Sequence, residues 1–231
     1  MSRYTYRAVI AYDGTEFDGF ARQGEQPTVE ASLVKALAPL IPGLEGVSVG
    51  GRTDRGVSAT GQVISFWSRK GLLLSDLEAV LDSAAPGAIV CRSVERVPRW
   101  FHAQFSARWR RYVYRMPADP TVDVARADRM LGSLLGRHDF SAYARATPAG
   151  KSTVRKLVEA RVRADAEGIR FDFKGESFLR KQIRVMVATT LREARAGSND
   201  DVLLALAEAN DRNLTAYPAE PEGLVLERIG Y

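Results

Sequence analysis

Aromatic and branched residues crowd the chain from Arg3 to Tyr12 (RYTYRAVIAY), which predicts a strand, and Asp13-Gly14 ends it in a turn. Apolar positions then recur with a helical period. Val29, Leu33, Ala36, Leu37 and Leu40 share one helix face, with Thr28 placed to cap the start and Pro42-Gly43 to stop it. Val47-Ser48-Val49 reads as a short strand running into a glycine-rich loop, and Gln62 to Trp67 as a further strand. Ser75-Asp76-Leu77-Glu78 fits a capping box for a second helix ending at Ala85-Pro86-Gly87, after which Ala88 to Val97 returns to strand. The first half therefore has the order β-α-β-β-α-β.

The second half opens on a strand, Arg111 to Met116, followed by a helix from Asp123 to Leu135 that Gly136 ends. Val154 to Ala164 and Ile169 to Lys174 flank Asp165-Ala166-Glu167-Gly168 and predict a hairpin. Helices are expected over Phe178 to Arg195, stopped at Ala196-Gly197, and over Asp200 to Asn210; Leu224 to Ile229 is a closing strand. Runs of strands with helices laid over them predict an α+β protein with much antiparallel pairing. The segment Pro98 to Arg110 carries no Gly or Ser run. Two halves of one continuous body are expected, 1–106 and 107–231, rather than two beads on a flexible string.

Composition narrows the chemistry. In 231 residues, 45% apolar and 26% charged, no apolar run approaches the ~18 residues of a membrane span. The longest candidate, Met186 to Leu191, is broken by Thr189 and Thr190, and the first residues lack the apolar core of a secretory signal. One cysteine, Cys91, excludes an internal disulfide and a cysteine-built metal cluster. Two histidines, His102 and His138, make a multi-histidine metal site unexpected. Chemistry is then left to Asp, Glu, Tyr, Arg, Ser or Thr, and a reducing cytoplasm is the default compartment. Net charge is +5, and 27 of the 33 basic residues are Arg. That bias suits phosphate and base recognition, and it equally suits a GC-rich genome.

Three segments could carry chemistry. The densest is Gly50-Gly51-Arg52-Thr53-Asp54-Arg55-Gly56-Val57-Ser58, continuing to Gly61-Gln62-Val63. A carboxylate at the tip of such a loop is directed by backbone, and Arg52 and Arg55 beside it would keep it ionised for work as nucleophile or base. Its structural alternative is a tight turn capped by Asp54, with solvated arginines. The second segment, Trp100 to Arg115, interleaves aromatic and basic residues. On a strand, Arg110, Tyr112 and Tyr114 fall on one face and Arg111, Val113 and Arg115 on the other. Such a face would suit single-stranded RNA, or it is an amphipathic edge strand with a solvated basic side. Third, in the helix expected from Phe178, Leu179, Ile183, Met186, Val187, Thr190 and Leu191 share an arc. Arg180 lies within its edge and Arg184 just beyond. Arg184 there either snorkels or meets an acid from another segment, such as Asp54. His138-Asp139 reads as a turn, His102 as a packing or hydrogen-bonding residue, and Cys91 as a buried small hydrophobe.

Taken together these segments resemble the TruA-type tRNA pseudouridine synthases over nearly the whole chain. The matching residues are Tyr12-Asp13-Gly14, Gly19 to Gln23, Gly51-Arg52-Thr53-Asp54 with Gly56-Val57, Gly61-Gln62-Val63, Phe101 to Ala107, Arg110 to Tyr114, Ser177-Phe178, Ile183-Arg184 and Glu222-Gly223-Leu224. The resemblance implies a curved, mainly antiparallel central sheet with flanking helices and two related halves around a cleft. It implies conversion of uridine to pseudouridine at positions 38 to 40 of the tRNA anticodon stem-loop. It further implies a cytoplasmic homodimer acting on tRNA, with no cofactor, no metal and no membrane. By the same resemblance Asp54 is the catalytic aspartate, Tyr112 packs on the target base, and Arg184 pairs with the aspartate. Arg52 helps hold the flipped nucleotide, and Leu224 lies on the other side of the base. Arg22, Gln23 and Arg110 fall in matching motifs as substrate-binding residues. Arg55 and Ser58 replace the alanine and histidine of the bacterial pattern and look archaeal; Phe20 replaces tryptophan, and Arg180-Lys181 a pair of histidines. A non-catalytic RNA-binding protein and an Asp-dependent nucleosidase are the rival readings.

Overall fold

Nine strands and five helices follow one another in the computed structural model, which describes residues 3–145 and 150–231. They divide into two compact units. The first comprises residues up to Arg108 together with Val225–Tyr231, and the second runs from Trp109 to Leu224. The division falls two residues later than the sequence indicated, and the last seven residues belong with the first unit. Among the described residues no helix is long and apolar enough to cross a membrane.

In the first unit, β1 (Tyr4–Tyr12) lies antiparallel between β3 (Ser58–Ser68) and β4 (Ile89–Val97), and β2 (Ser48–Val49) pairs with the far side of β3. Tyr6, Ala8 and Ile10 occupy one face of β1, opposite Phe66, Ile64 and Gln62. With Leu33 and Leu37 of α1 (Val29–Leu37) and Leu77 and Leu81 of α2 (Leu74–Asp82) they are buried and build the core. Thr28 caps α1 as expected, its hydroxyl accepting from the Ala31 amide.

The capping box at Ser75 does not form. Helix α2 begins one residue before it, with Leu73 at the cap position and no side-chain cap bond. Cys91 is half-buried on β4, not sealed in an apolar core. Burial and the carboxylates of Glu78 and Asp82 push its thiol up to about 11. Strand β3 starts four residues ahead of the expected Gln62. Its first residues pair in parallel with β9 (Leu224–Gly230), Ser58 opposite Val225 and Ala59 opposite Leu226. A Cβ at Gly61 would lie 2.3 Å from the Glu227 carbonyl oxygen, so this close approach requires glycine.

In the second unit β5 (Trp109–Met116), β8 (Gly168–Gly175), β7 (Val154–Asp165) and β6 (Gly136–Asp139) form an antiparallel ladder in that order. The hairpin turns at Ala166-Glu167, with Asp165 opposite Gly168. Strand β6 replaces the turn expected at His138-Asp139: pairing with β7 holds those residues extended. Phe171 and Phe173 of β8 and Ala160 and Val162 of β7 are buried on the face covered by α3 (Val124–Gly132), whose Ala127, Met130 and Leu131 are buried too.

Helix α4 runs from Gln182 to Ala196, so the four residues from Phe178 are not helical. The buried Gln182 side chain accepts from the Leu179 amide at 2.8 Å, and Lys181 turns into the left-handed region at φ 61°. The helical arc drawn through Leu179 and Arg180 therefore does not exist. Inside α4, Thr189 and Thr190 donate back to the carbonyls of Val185 and Met186, which lets two hydroxyls be fully buried. A short helix, α5 (Val202–Glu208), follows.

Candidate active site

The aspartate loop is shaped by its neighbours in the first unit. At the end of β1, Asp13 accepts from the Thr15 amide and hydroxyl at 3.0 and 2.8 Å, starting a single 3-10 turn over Gly14–Glu16. Those two bonds hold its carboxyl below the usual range. The Gly14 amide donates to Ser58 Oγ at 2.9 Å, and the Phe20 amide to the Thr53 carbonyl at 3.1 Å. Two buried side chains complete the frame. Tyr12 Oη lies 2.7 Å from Thr53 Oγ1. Gln62, fully buried in β3, donates to Tyr12 Oη at 3.2 Å and to the Gly51 carbonyl at 2.6 Å, and accepts from the Gly51 amide at 3.3 Å. Burial pushes the Tyr12 phenol up to about 12.

Between these anchors Asp54 opens a tight turn closed by backbone, Val57 N–H to the Asp54 carbonyl at 3.1 Å. Asp54 is half-buried, and Arg52 is exposed. Arg55, next in the chain, also has an acidic partner of its own: its Nε lies 3.0 Å from Asp18, and it is 83% exposed. Arg22 and Gln23 lie on the exposed segment just after Phe20. Arg22 is tied locally, its amide donating to Glu30 and its guanidinium to the Glu45 carbonyl. His102 is a hydrogen-bonding residue, with Nε2 at 3.1 Å from Ser48 Oγ.

In the second unit the alternation along β5 holds, but its consequence differs from an open stacking platform. Arg110, Tyr112 and Tyr114 are all buried. Arg110 donates to the Glu176 carbonyl at 2.5 Å, and Tyr112 meets the Phe178 ring edge-on at 5.3 Å. On the opposite face Arg111 donates to Asp172 and Glu159, and Arg115 pairs with Asp165 and Glu167. Burial raises the Tyr114 phenol, and the nearby Arg184 charge opposes that rise. Arg184 stands in the first turn of α4. Its Nε donates to the Ala219 carbonyl at 2.6 Å, while the Ala219 amide donates back to the Arg184 carbonyl at 3.1 Å. Arg184 thus fixes the segment leading through the 3-10 turn Pro221–Gly223 to Leu224, which is buried at the start of β9.

The first unit therefore gathers Arg52 and Asp54 on one loop, with Arg22 and Gln23 following the residue that grips Thr53. The second gathers Arg110 and Tyr112 on one strand, and links Arg184 to the Leu224 segment. Sequence reasoning gave no role to Tyr12, Thr53 or Gln62, although all three fall in matching motifs; the signal was the single carboxamide in β3. It also missed Asp172, a fully buried carboxylate between Phe171 and Phe173 that takes hydrogen bonds from Arg111, Arg163 and Arg170.

A family profile described as tRNA pseudouridine synthase matches residues 130–231. The tRNA pseudouridine synthase A of Lactiplantibacillus plantarum is 32% identical, covering 98% of this chain and 94% of its own. The protein of the same name from Lacticaseibacillus casei is 34% identical, covering 98% of this chain and 99% of its own. The chain belongs to the tRNA pseudouridine synthase family. A solved Cbf5-Nop10-Gar1 complex is similar over 96% of this chain, at 16% identity and a TM-score of 0.44, and this chain spans 48% of that one.

Both tRNA pseudouridine synthase A relatives named here are bacterial. The two positions that gave the sequence an archaeal look have local partners in this synthase. Ser58 receives the Gly14 amide, and Arg55 pairs with Asp18.

Proposed function

We propose that this chain isomerises uridine to pseudouridine in the anticodon stem-loop of tRNA, at positions 38 to 40. The observation that carries the reading is the match over 98% of the chain to relatives named tRNA pseudouridine synthase A. Support comes from Asp54, set at the start of a turn whose preceding residues Gly51 and Thr53 are held by buried side chains.

The reaction breaks the N1–C1′ glycosidic bond, turns the uracil, and joins C5 to C1′. N1 gains a proton and C5 loses one, so no external reactant is consumed. A stacked uracil cannot turn, so the nucleotide is extruded from the helix at a cost of a few kcal/mol. Arginine contacts to phosphate, Arg22 and Arg52 among them, together with substrate contacts from Gln23 and Arg110 and the packing of Tyr112 and Leu224 about the base, offset that cost. Asp54 attacks the sugar or base, or starts a glycal route by taking a proton. Arg184 pairs with Asp54, because an unpaired carboxylate in a desolvated site tends to protonate. Tyr112 also helps remove the C5 proton. The acting form is a cytoplasmic homodimer in which one tRNA touches both subunits, a reading supported by the family resemblance.

The test is incubation with unmodified tRNA, followed by mapping of pseudouridine by position. Wild type should modify positions 38 to 40. Asp54→Asn should form none while binding tRNA within about threefold of wild type. Product from Asp54→Asn would remove that residue from the mechanism. Turnover of free uridine would favour the nucleosidase, and tRNA binding without any product the non-catalytic RNA-binding protein.

A further inference from the structure

We propose that Tyr12 and Gln62 are positioning residues for the isomerisation, acting on Asp54 through the backbone on either side of Arg52. The inference rests on the enzymatic reading above. It starts from the cost of what is buried. A carboxamide with no exposure and a phenol 5% exposed sit inside a mainly apolar core. Each is tolerated there only if its donors and acceptors are used.

They are used on the loop. The Gln62 side chain spans Gly51 like a second strand, giving its N–H to the carbonyl and taking the amide on its oxygen. That oxygen also accepts the Val63 amide at 3.1 Å, which locks the side chain to its own strand. The second Nε2 bond goes to Tyr12 Oη, and Tyr12 Oη meets Thr53, the residue before Asp54. Thr53 is gripped a second time through its carbonyl by the Phe20 amide. The network therefore reaches the two residues that fix the entry of the chain into Asp54. Side-chain bonds of this kind set direction more narrowly than a glycine-rich loop does alone.

The Tyr12 phenol stays neutral across the working range, being pushed up to about 12 by burial. It therefore has no acid–base part to play, and a loss on removing its hydroxyl reports orientation. Tyr12→Phe keeps the ring packed against Phe17 and Phe20. Thr53→Val is its isosteric counterpart, and Thr53→Ser restores the hydroxyl.

The experiment measures single-turnover pseudouridine formation on unmodified tRNA, with tRNA affinity and thermal midpoint recorded for each variant. Tyr12→Phe and Thr53→Val should each slow the reaction roughly ten- to hundredfold, with affinity within about twofold. The double variant should be no slower than either single one, and Thr53→Ser should recover most of the rate. Full rate in Tyr12→Phe, losses that multiply in the double variant, or a loss confined to tRNA affinity would each overturn the positioning role while leaving the enzymatic reading intact. A wild-type chain that forms no pseudouridine would overturn both.

Discussion

Replacing Gly14 by alanine should disable the enzyme from a buried position in the loop frame. The new Cβ would lie 2.3 Å from both the carbonyl carbon and oxygen of Val57, and 2.7 Å from the Ser58 nitrogen. All three are backbone atoms, so no side chain can rotate aside. Ordinary contact begins at 3.4 Å, and the two segments must therefore part by roughly 1 Å in a closely packed region. Val57 closes the turn that Asp54 opens, so the displacement is delivered to Asp54, the carboxylate proposed to act on the uridine. The Gly14 amide also loses its 2.9 Å bond to Ser58. A shift of about 1 Å at a reacting group costs on the order of a hundredfold in rate. Overpacking of this kind destabilises by about 1–3 kcal/mol, which lowers the midpoint of a chain this long by about 2–12 °C.

The assay is single-turnover product formation on tRNA, with affinity measured separately by filter binding. Gly14→Ala should be about a hundredfold slow, with affinity within threefold and the midpoint lowered as above. Gly132→Ala is the control: at the end of α3 an added Cβ meets nothing within 4 Å, so wild-type activity and a gain of about 0.4–1 kcal/mol are expected. Wild-type rate and midpoint in Gly14→Ala would refute the claim that this contact sets the loop.

Three further outcomes can be measured. Burial alone would push the Asp172 carboxyl up, but hydrogen bonds from Arg170, Arg163 and Arg111 bring it down to about 2. Its folded value lies below its unfolded value of 3.8, so its stabilisation is present above about pH 4 and is lost as pH falls through about 2. With half-exposed arginines the amount is on the order of 1–2 kcal/mol; Asp172→Asn should flatten that part of the acid unfolding curve, and an unchanged slope would contradict the assignment. Arg184→Lys should slow the reaction at least about tenfold, because an ammonium cannot both donate to Ala219 and present a planar fork; full rate in that variant would show that charge alone suffices. Affinity for tRNA should fall at least about tenfold between 50 and 200 mM salt through counterion release, and a flat dependence would count against arginine–phosphate contacts.

Much was legible in the sequence where neighbours in the chain do the work. Thr28 caps α1, the β7–β8 hairpin turns where Asp165 to Gly168 placed it, and Asp54 opens a tight turn. Period, cap and turn chemistry are local, so a few residues encode them. Tertiary structure decided the rest, because the partners lie far along the chain. Strand β3 begins early because β9 pairs with it from the opposite end of the sequence. Helix α4 begins late for a local reason that the hydrophobic period does not reveal, a glutamine side chain capturing the Leu179 amide while Lys181 turns left-handed. Arg55 faces Asp18, Asp172 draws arginines from three strands, and Gln62 and Tyr12 acquire a role at the site only once the loop folds over them. Hydrogen bonds that satisfy buried polar groups depend on which strands come to lie side by side, and no window of sequence contains that information.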